Sequence, residues 1–451
     1  MIKQIYPNSP TTITLHYIFY NLQLLLLLFF ASQITFFAVR GPPKTCNSGG
    51  KLILKTNHKQ IKLYGSEEKL VTLFGVMQAL VSVTQDMDDD SIEAIYFGSR
   101  TLVFSVRGPI ILVAVSSTRE PISFLNKQLS YVYSQIVSVL TLSQVTRIFE
   151  ERRNYDLRRL LTGSERLIDS LLKSTELEPD LLVNGVSCLP LPLNSREAIS
   201  NTIISTCSKI KNLVFVVLVA GNKLIALVRM KKYHISPSDL HLVFNMVNAS
   251  ESFKTAESWT PICLPNFDSS GFLHCHVSYL TEDCAACLLL FTVDRDLFFE
   301  LSDAKKKITE KLRRNNLLTA INDAVRKIEG ITGSLCMTPV RHFIYKDCRS
   351  GGVVSPSMAA TPYESAAGWS QLMKHYQILY DELHSPIVQL KLIYRQYSVD
   401  TIIAWVNEKF EVYVLLEPLI SKTNAIDAVN KLWQLIQKEE DRFFIINIPI
   451  F

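Results

Sequence analysis

Four times along a chain of 451 residues, two short apolar runs are joined by a turn or short loop and followed by an amphipathic helix. The first pair of runs is 102–106 and 110–115, turned at Arg107-Gly108-Pro109, with a helix near 123–140. The second is 214–219 and 223–229, with a helix near 238–247. The third is 272–279 and 287–293, with a helix near 297–315, and the fourth is 401–406 and 410–416, with a helix near 424–437. Runs this short and this closely joined are antiparallel hairpins, because a parallel crossover needs about a dozen residues or more. Recurrence of one such unit implies tandem copies of one small α/β domain.

Three copies account for the pattern. The first opens with strands at 52–55 and 60–64 and a helix over 67–82, where Leu70, Leu73, Phe74, Met77, Leu80 and Val81 make a stripe of helical period. The second begins near Leu213. The third begins near Arg341, with a strand at 343–346 and a helix over 368–384. The expected fold is α/β (α+β), each copy a mainly antiparallel sheet packed with helices. The expected divisions are a variable segment over 1–49, a first domain with a charged helical connector over 50–182, a second over 183–327, and a third over 328–451. Within the last, the Gly-, Ser- and Pro-rich stretch 328–366 reads as a loop or mobile link.

Hydrophobic residues at 48% and charged residues at 20% describe an ordinary globular chain. A net charge of +5 and a pI near 8.6 are too mild to argue for nucleic acid. Nine cysteines, odd in number and irregularly spaced, read as reduced thiols rather than a disulfide framework. From His16 to Val39 there is no charged side chain, and on hydropathy alone that run reads as a membrane anchor, with the basic residues after it placing 40–451 in the cytoplasm.

Signatures of covalent chemistry are missing: the sequence has no Walker A loop, no G-x-G-x-x-G after a strand, no H-E-x-x-H and no G-x-S-x-G. Cys284-x-x-Cys287 with His274 and His276 has the donors for tetrahedral zinc. The alternation of the strand that carries the histidines favours packing instead, so no metal and no cofactor is expected. The acidic run Asp86, Asp88, Asp89 and Asp90 reads as a solvated loop. Lys305, Lys306, Lys307, Lys311, Arg313 and Arg314 gather on one helix, as a candidate contact for anionic lipid headgroups or as a solvated helical face. Trp259, in a Pro-bounded stretch taken as a loop, is a candidate binding anchor or a cover on the core.

Several segments resemble one known family. They are RNYDLRRLLTGSE at 153–165, YGSEE at 64–68, GVMQALVS at 75–82, DLHLVFNMV at 239–247, SWTPICLPNF at 258–267, RHFIYK at 341–346 and KEEDRFF at 438–444. Taken in chain order they resemble the SAND, or vacuolar fusion Mon-one, proteins from about residue 50 to the end. The resemblance implies three tandem longin domains and a heterodimer with a Ccz-one-type longin partner. It implies guanine nucleotide exchange on a Rab-seven-class GTPase of late endosomes and vacuoles, with recruitment by a Rab-five-class GTPase and phosphoinositide membrane. Exchange needs differential binding of two GTPase conformations and no covalent step, so the chain is expected not to be an enzyme in the chemical sense. The candidate platform is the helix over 67–82, with Leu73 and Met77, and the strand over 92–98, with Tyr96 and Phe97. Family members are peripheral proteins with a polar leader, so an anchor at 16–39 would depart from their pattern.

Overall fold

A computed structural model describes residues 34–40, 51–54 and 76–451, except 78, 85–91, 99, 118–119, 153–156, 255 and 358–362. The chain divides into two compact units, one over 1–136 and 142–172, the other over 137–141 and 173–451.

The first unit is built on β1 (Ile34–Arg40), β2 (Lys51–Leu54), β3 (Ala94–Phe97), β4 (Arg100–Arg107) and β5 (Ile110–Ser116). They form one antiparallel sheet in the order β2-β1-β5-β4-β3. β1 overturns the anchor reading for its part of the apolar run. The last residues of that run are hydrogen-bonded on both sides within a sheet, which a lipid-spanning helix excludes. β1 also lies upstream of the domain start expected at 50. Residues 1–33 are outside the described part, and among the described residues no helix is long and apolar enough to cross a membrane. One face of the sheet packs Leu102, Phe104, Ile111, Val113 and Val115 against Met77, Leu80 and Val81 of the helix over 76–84. The expected strand at 60–64 and the acidic run at 86–90 also lie outside the described residues.

In the second unit a two-residue strand, β6 (Val186–Ser187), follows the short helix Pro179–Leu182. The second domain follows with β7 (Leu213–Ala220), β8 (Lys223–Arg229), β9 (Ser258–Leu264), β10 (Asp268–Tyr279) and β11 (Ala286–Thr292), in the order β8-β7-β11-β10-β9. The third has β12 (Val340–Asp347), β13 (Gly352–Val354), β14 (Leu392–Gln396), β15 (Thr401–Val406) and β16 (Phe410–Leu416), in the order β14-β15-β16-β12-β13. Counted within each domain, all three sheets have the order second, first, fifth, fourth, third. The hairpin-plus-helix motif in the sequence is therefore part of a larger unit, ββα-βββα.

β7 and β11 are apolar without alternation because both faces are covered. Val216, Leu218, Leu288 and Leu290 meet Ile199, Ile203, Leu301, Ile308 and Leu312 of the helices Leu193–Cys207 and Phe298–Arg314. Phe215, Val217, Leu289 and Phe291 meet Leu240, Val243 and Phe244 of Pro237–Ala249 on the opposite face. Ser236 caps that helix by accepting from Asp239 N at 3.1 Å. In the third domain Phe343, Val412 and Val414 pack on Val429, Leu432 and Ile436 of Lys422–Lys438.

The stretch 328–366 is more ordered than its composition suggests. The helix Leu317–Gly333 runs into it, and β12 and β13 lie within it. One of its glycines serves close packing: a Cβ on Gly352 would stand 2.4 Å from Phe444 Cδ1. Outside the stretch, a Cβ on Gly185 would stand 2.3 Å from Val353 Cγ2.

The second and third sheets are joined through their second strands. β6 pairs with β13 in parallel, and Cys188, one residue on, bridges Leu224 of β8. The segment 445–451 returns over the second domain. Pro449 O accepts from Arg229 N at 3.2 Å, and Phe451 N donates to Arg229 O at 3.2 Å. Arg196, buried at 5% exposure, donates to Ile225 O (3.0 Å), Leu189 O (2.9 Å) and Arg442 O (2.8 Å). One guanidinium thus holds the second sheet, the connector and the short helix Glu440–Phe443 of the third domain.

Candidate functional site

β3 is an edge strand of the first sheet. Glu93 O accepts from Phe104 N at 2.9 Å, so the odd positions turn towards β4 and the backbone groups of Ala94 and Tyr96 turn outward. Among the described residues nothing pairs with them, and the Tyr96 side chain is 72% exposed. An open edge with a large exposed aromatic is the geometry for strand addition. Phe97 follows on the same strand, with its side chain outside the described part, as is all of Leu73. Met77 differs from the expectation of a contact residue. It is fully buried against the sheet and offers no surface to a partner.

Trp259 lies on β9 and not in a loop. The neighbouring Pro261 is accommodated because β9 is an edge strand, where a missing ladder N–H costs little. The indole is half-buried. It stacks on His274 of β10 with ring centroids 5.6 Å apart and planes 10° apart, and it meets the edge of Phe298 at 5.9 Å. Phe299, whose ring centroid lies 5.4 Å from that of Phe298, is exposed, so the aromatic cluster opens to solvent.

Behind this cluster is a polar knot. Buried His276 donates from Nε2 to Glu257 Oε2 at 3.0 Å, and Lys305 Nζ reaches Glu257 Oε1 at 3.2 Å. Burial pushes the His276 imidazole down against the pull of Glu257, so the ring is a neutral donor. Burial alone would raise the Glu257 carboxyl, but hydrogen bonds from Ser302, Lys305 and His276 outweigh it and hold the group low. Glu257→Gln should therefore cost about 1–2 kcal/mol, the worth of a half-buried charge-assisted bond. A urea midpoint equal to the wild type's would show that the knot contributes nothing.

The six basic residues separate in the fold. Lys305 is turned inward on Glu257. Lys311 reaches Ser205 Oγ and Thr206 Oγ1, both at 3.2 Å. Lys306 lies 3.4 Å from Asp303, and Arg314 3.7 Å from Glu310, both exposed pairs of little strength. Lys307 and Arg313 are exposed and make no ion pair among the described residues. Five of the six therefore face solvent. His274 and His276 are used by Trp259 and Glu257, and Cys284 and Cys287 are buried, with burial pushing the Cys287 thiol up to about 12. Among the described residues no group of three or more His, Cys, Asp or Glu is placed to hold a metal ion. A hollow of about 430 Å³ on the third domain is lined by Pro339, Leu419, Ile420, Asp427 and Lys431 among others, and its lining includes no nucleophile beside a base.

Three sheets of one strand order, each covered by helices, make this a protein of three tandem longin domains. Family models agree. The first longin domain of FUZ, MON1 and HPS1 matches residues 45–171, the second 211–310 and the third 339–440. The chain is 43% identical over 383 residues to "Vacuolar fusion protein MON1 homolog A" of Gallus gallus, covering 85% of this chain and 69% of that protein. It is 42% identical over 384 residues to "Protein SAND" of Takifugu rubripes, with 85% and 73% covered. It is 33% identical over 392 residues to "Vacuolar fusion protein MON1" of Cryptococcus neoformans, with 86% and 62% covered. The chain belongs to the MON1/SAND family.

Proposed function

We propose that the chain is one subunit of a two-chain guanine nucleotide exchange factor for a Rab-seven-class GTPase, acting in endosome maturation and vacuole fusion. Its partner is a Ccz-one-type longin protein. The observation that carries the proposal is membership in a family whose relatives are named for vacuolar fusion, together with a first longin domain that ends on an open, aromatic edge at Tyr96. Such an edge suits pairing with a second longin sheet, and the two first domains together make the platform. The platform favours the GTPase conformation that holds nucleotide poorly, and abundant GTP replaces what is released. The exposed cations Lys306, Lys307, Lys311, Arg313 and Arg314 suit phosphoinositide membrane, where each basic residue near an anionic surface contributes about 1 kcal/mol. Recruitment then involves that surface and a Rab-five-class GTPase, and the protein works as a peripheral protein on the late endosome, lysosome or vacuole.

The test is release of fluorescent GDP from the Rab, using the chain co-expressed with its Ccz-one partner. Acceleration is expected only with both subunits, and greater acceleration on phosphoinositide liposomes. No acceleration from a folded, assembled pair would sink the exchange reading in favour of a longin adaptor. Charge reversal at Lys307 and Arg313 should lower the liposome stimulation severalfold and leave the rate in solution unchanged. Equal stimulation would remove this helix from the membrane contact.

A further inference from the structure

We propose that the outer edge of β14, in the third domain, is a strand-addition dock, and that its occupant is an extended apolar segment of the second subunit. The inference rests on the two-chain reading above and adds a second, separate joint to it. Lys391 O accepts from Val406 N at 2.9 Å and Tyr397 N donates to Asp400 O at 2.8 Å, so the odd positions pair with β15. The N–H and C=O groups of Leu392, Tyr394 and Gln396 turn the other way, and among the described residues none of them is paired. Such a row is a template for another strand. Sheets commonly guard their edges, as β9 does with Pro261. β14, Leu-Ile-Tyr-Arg-Gln, carries neither Pro nor Gly.

The surroundings of this edge are apolar. Ile387 (90% exposed), Val388 and Leu390 lead into β14, and Val399 follows it. At its far end stands Leu419, next to Ile420, whose carbonyl accepts from Tyr394 and Gln396. Leu419 is 87% exposed and held at φ 61°, a left-handed conformation unfavourable for leucine. Five of the twelve exposed large hydrophobics among the described residues thus attend one short strand, far more than scattered exposure would place there.

The same unit indicates what covers such an edge. β13 is completed by the extended residues 186–187, and β8 by 449–451, with Ile448 and Phe451 packed on the second-domain cores. Each is a short extended segment whose backbone satisfies the sheet and whose apolar side chains fill the flank. β14 has no such segment among the described residues. A lipid surface is the poorer match, since hydrocarbon would leave the edge amides without acceptors.

The experiment uses the full chain alone and assembled with its Ccz-one partner. Amide deuterium exchange at Leu392, Tyr394 and Gln396 should slow at least tenfold on assembly. The double variant Val388→Lys/Leu390→Lys, whose changes are at exposed positions and whose thermal midpoint serves as the check on folding, should bind the partner at least tenfold more weakly. A pair in which these amides stay unprotected and the variant binds as well as wild type overturns the dock while leaving the two-chain reading intact. Loss of binding to phosphatidylserine vesicles, with partner affinity unchanged, overturns it in favour of a membrane loop. A wild-type chain that forms no pair at all overturns both the two-chain reading and the dock.

Discussion

Replacing Arg196 with Met will lower the stability of the second and third domains by about 3–5 kcal/mol. The guanidinium is buried and satisfies three carbonyls that belong to three separate segments: Leu189 in the connector, Ile225 on β8, and Arg442 in the last short helix. Burial depresses its basicity but leaves it a cation, since the ordinary arginine value is so high. Met retains most of the stem volume, so the loss comes from the Leu189 and Ile225 carbonyls, which lose this donor, while Arg442 O keeps only the longer bond from Leu191 N at 3.3 Å. Arg196→Lys keeps the charge but presents one ammonium where a planar fork spans three acceptors, and it should fall between wild type and Met. Urea unfolding of the three proteins measures the order. Limited proteolysis should show new cleavage in 183–192 and after Phe444, where the domains are joined. A Met variant with the wild-type midpoint would mean that these bonds merely accompany an interface held by its apolar contacts.

Arg196 also shows where the sequence runs out. Its helix, Leu193–Cys207, was absent from the sequence expectation because its buried face includes Arg196, Ser200 and Thr202 beside Ile199 and Ile203. A stripe of mixed polarity gives no 3.6-residue signal, and only the fold shows that the polar members are satisfied internally. The hairpins were legible for the opposite reason. β7 and β11 lie between two helical layers, so their apolar runs are continuous, and tight turns such as Ala220-Gly221-Asn222 mark their ends. β1 has the same apolar character, but the longer uncharged run upstream turned it into a membrane signal. β9 was concealed by Pro261, which local rules assign to a loop and which only its edge position explains. The surfaces were less legible than the fold. The stripe that placed Met77 on a helix could not say which way that helix faced. The basic run gave the cations of Phe298–Arg314 but not that Lys305 turns inward to Glu257. The open edge of β14 has no sequence signature, since an edge is defined by the strand that is not beside it. Several segments that carried the resemblance prove to be structural clips: Asp239 accepts from Asn266 N and Nδ2, and Phe443 and Phe444 are buried. That is why they speak clearly for the fold and say little about contacts.

His342, in the segment RHFIYK, makes one such clip sensitive to pH. The ring is wholly buried, Nε2 donates to Pro356 O at 3.0 Å, and Nδ1 accepts from the Tyr376 hydroxyl at 2.9 Å. Burial holds that hydroxyl well above its ordinary value, so it keeps its proton and remains the donor. Both ring nitrogens are therefore committed in the neutral form, and a second ring proton would face the Tyr376 hydroxyl in an apolar site beside Trp369. Burial accordingly pushes His342 down to about 4 from the ordinary 6.5, despite the favourable bond to Pro356. The unfolded chain takes up a proton near 6.5 that the folded chain refuses until near 4. The stability from this site is thus fully present above pH 6.5 and is lost as pH falls towards 4, by roughly 3 kcal/mol in all. His342→Gln can offer an amide N–H to Pro356 and a carbonyl to Tyr376 but cannot titrate. At pH 7.5 it should be less stable than wild type by about 1–2 kcal/mol through imperfect bonding. The gap should narrow steadily below pH 6.5 and reverse between about pH 6 and 5, where the wild type has lost as much as the variant gave up. Urea midpoints of both proteins between pH 4 and 7.5 give that difference free of the carboxylates they share, and a gap that stays constant across the range would show that His342 is not excluded from protonation in the folded domain.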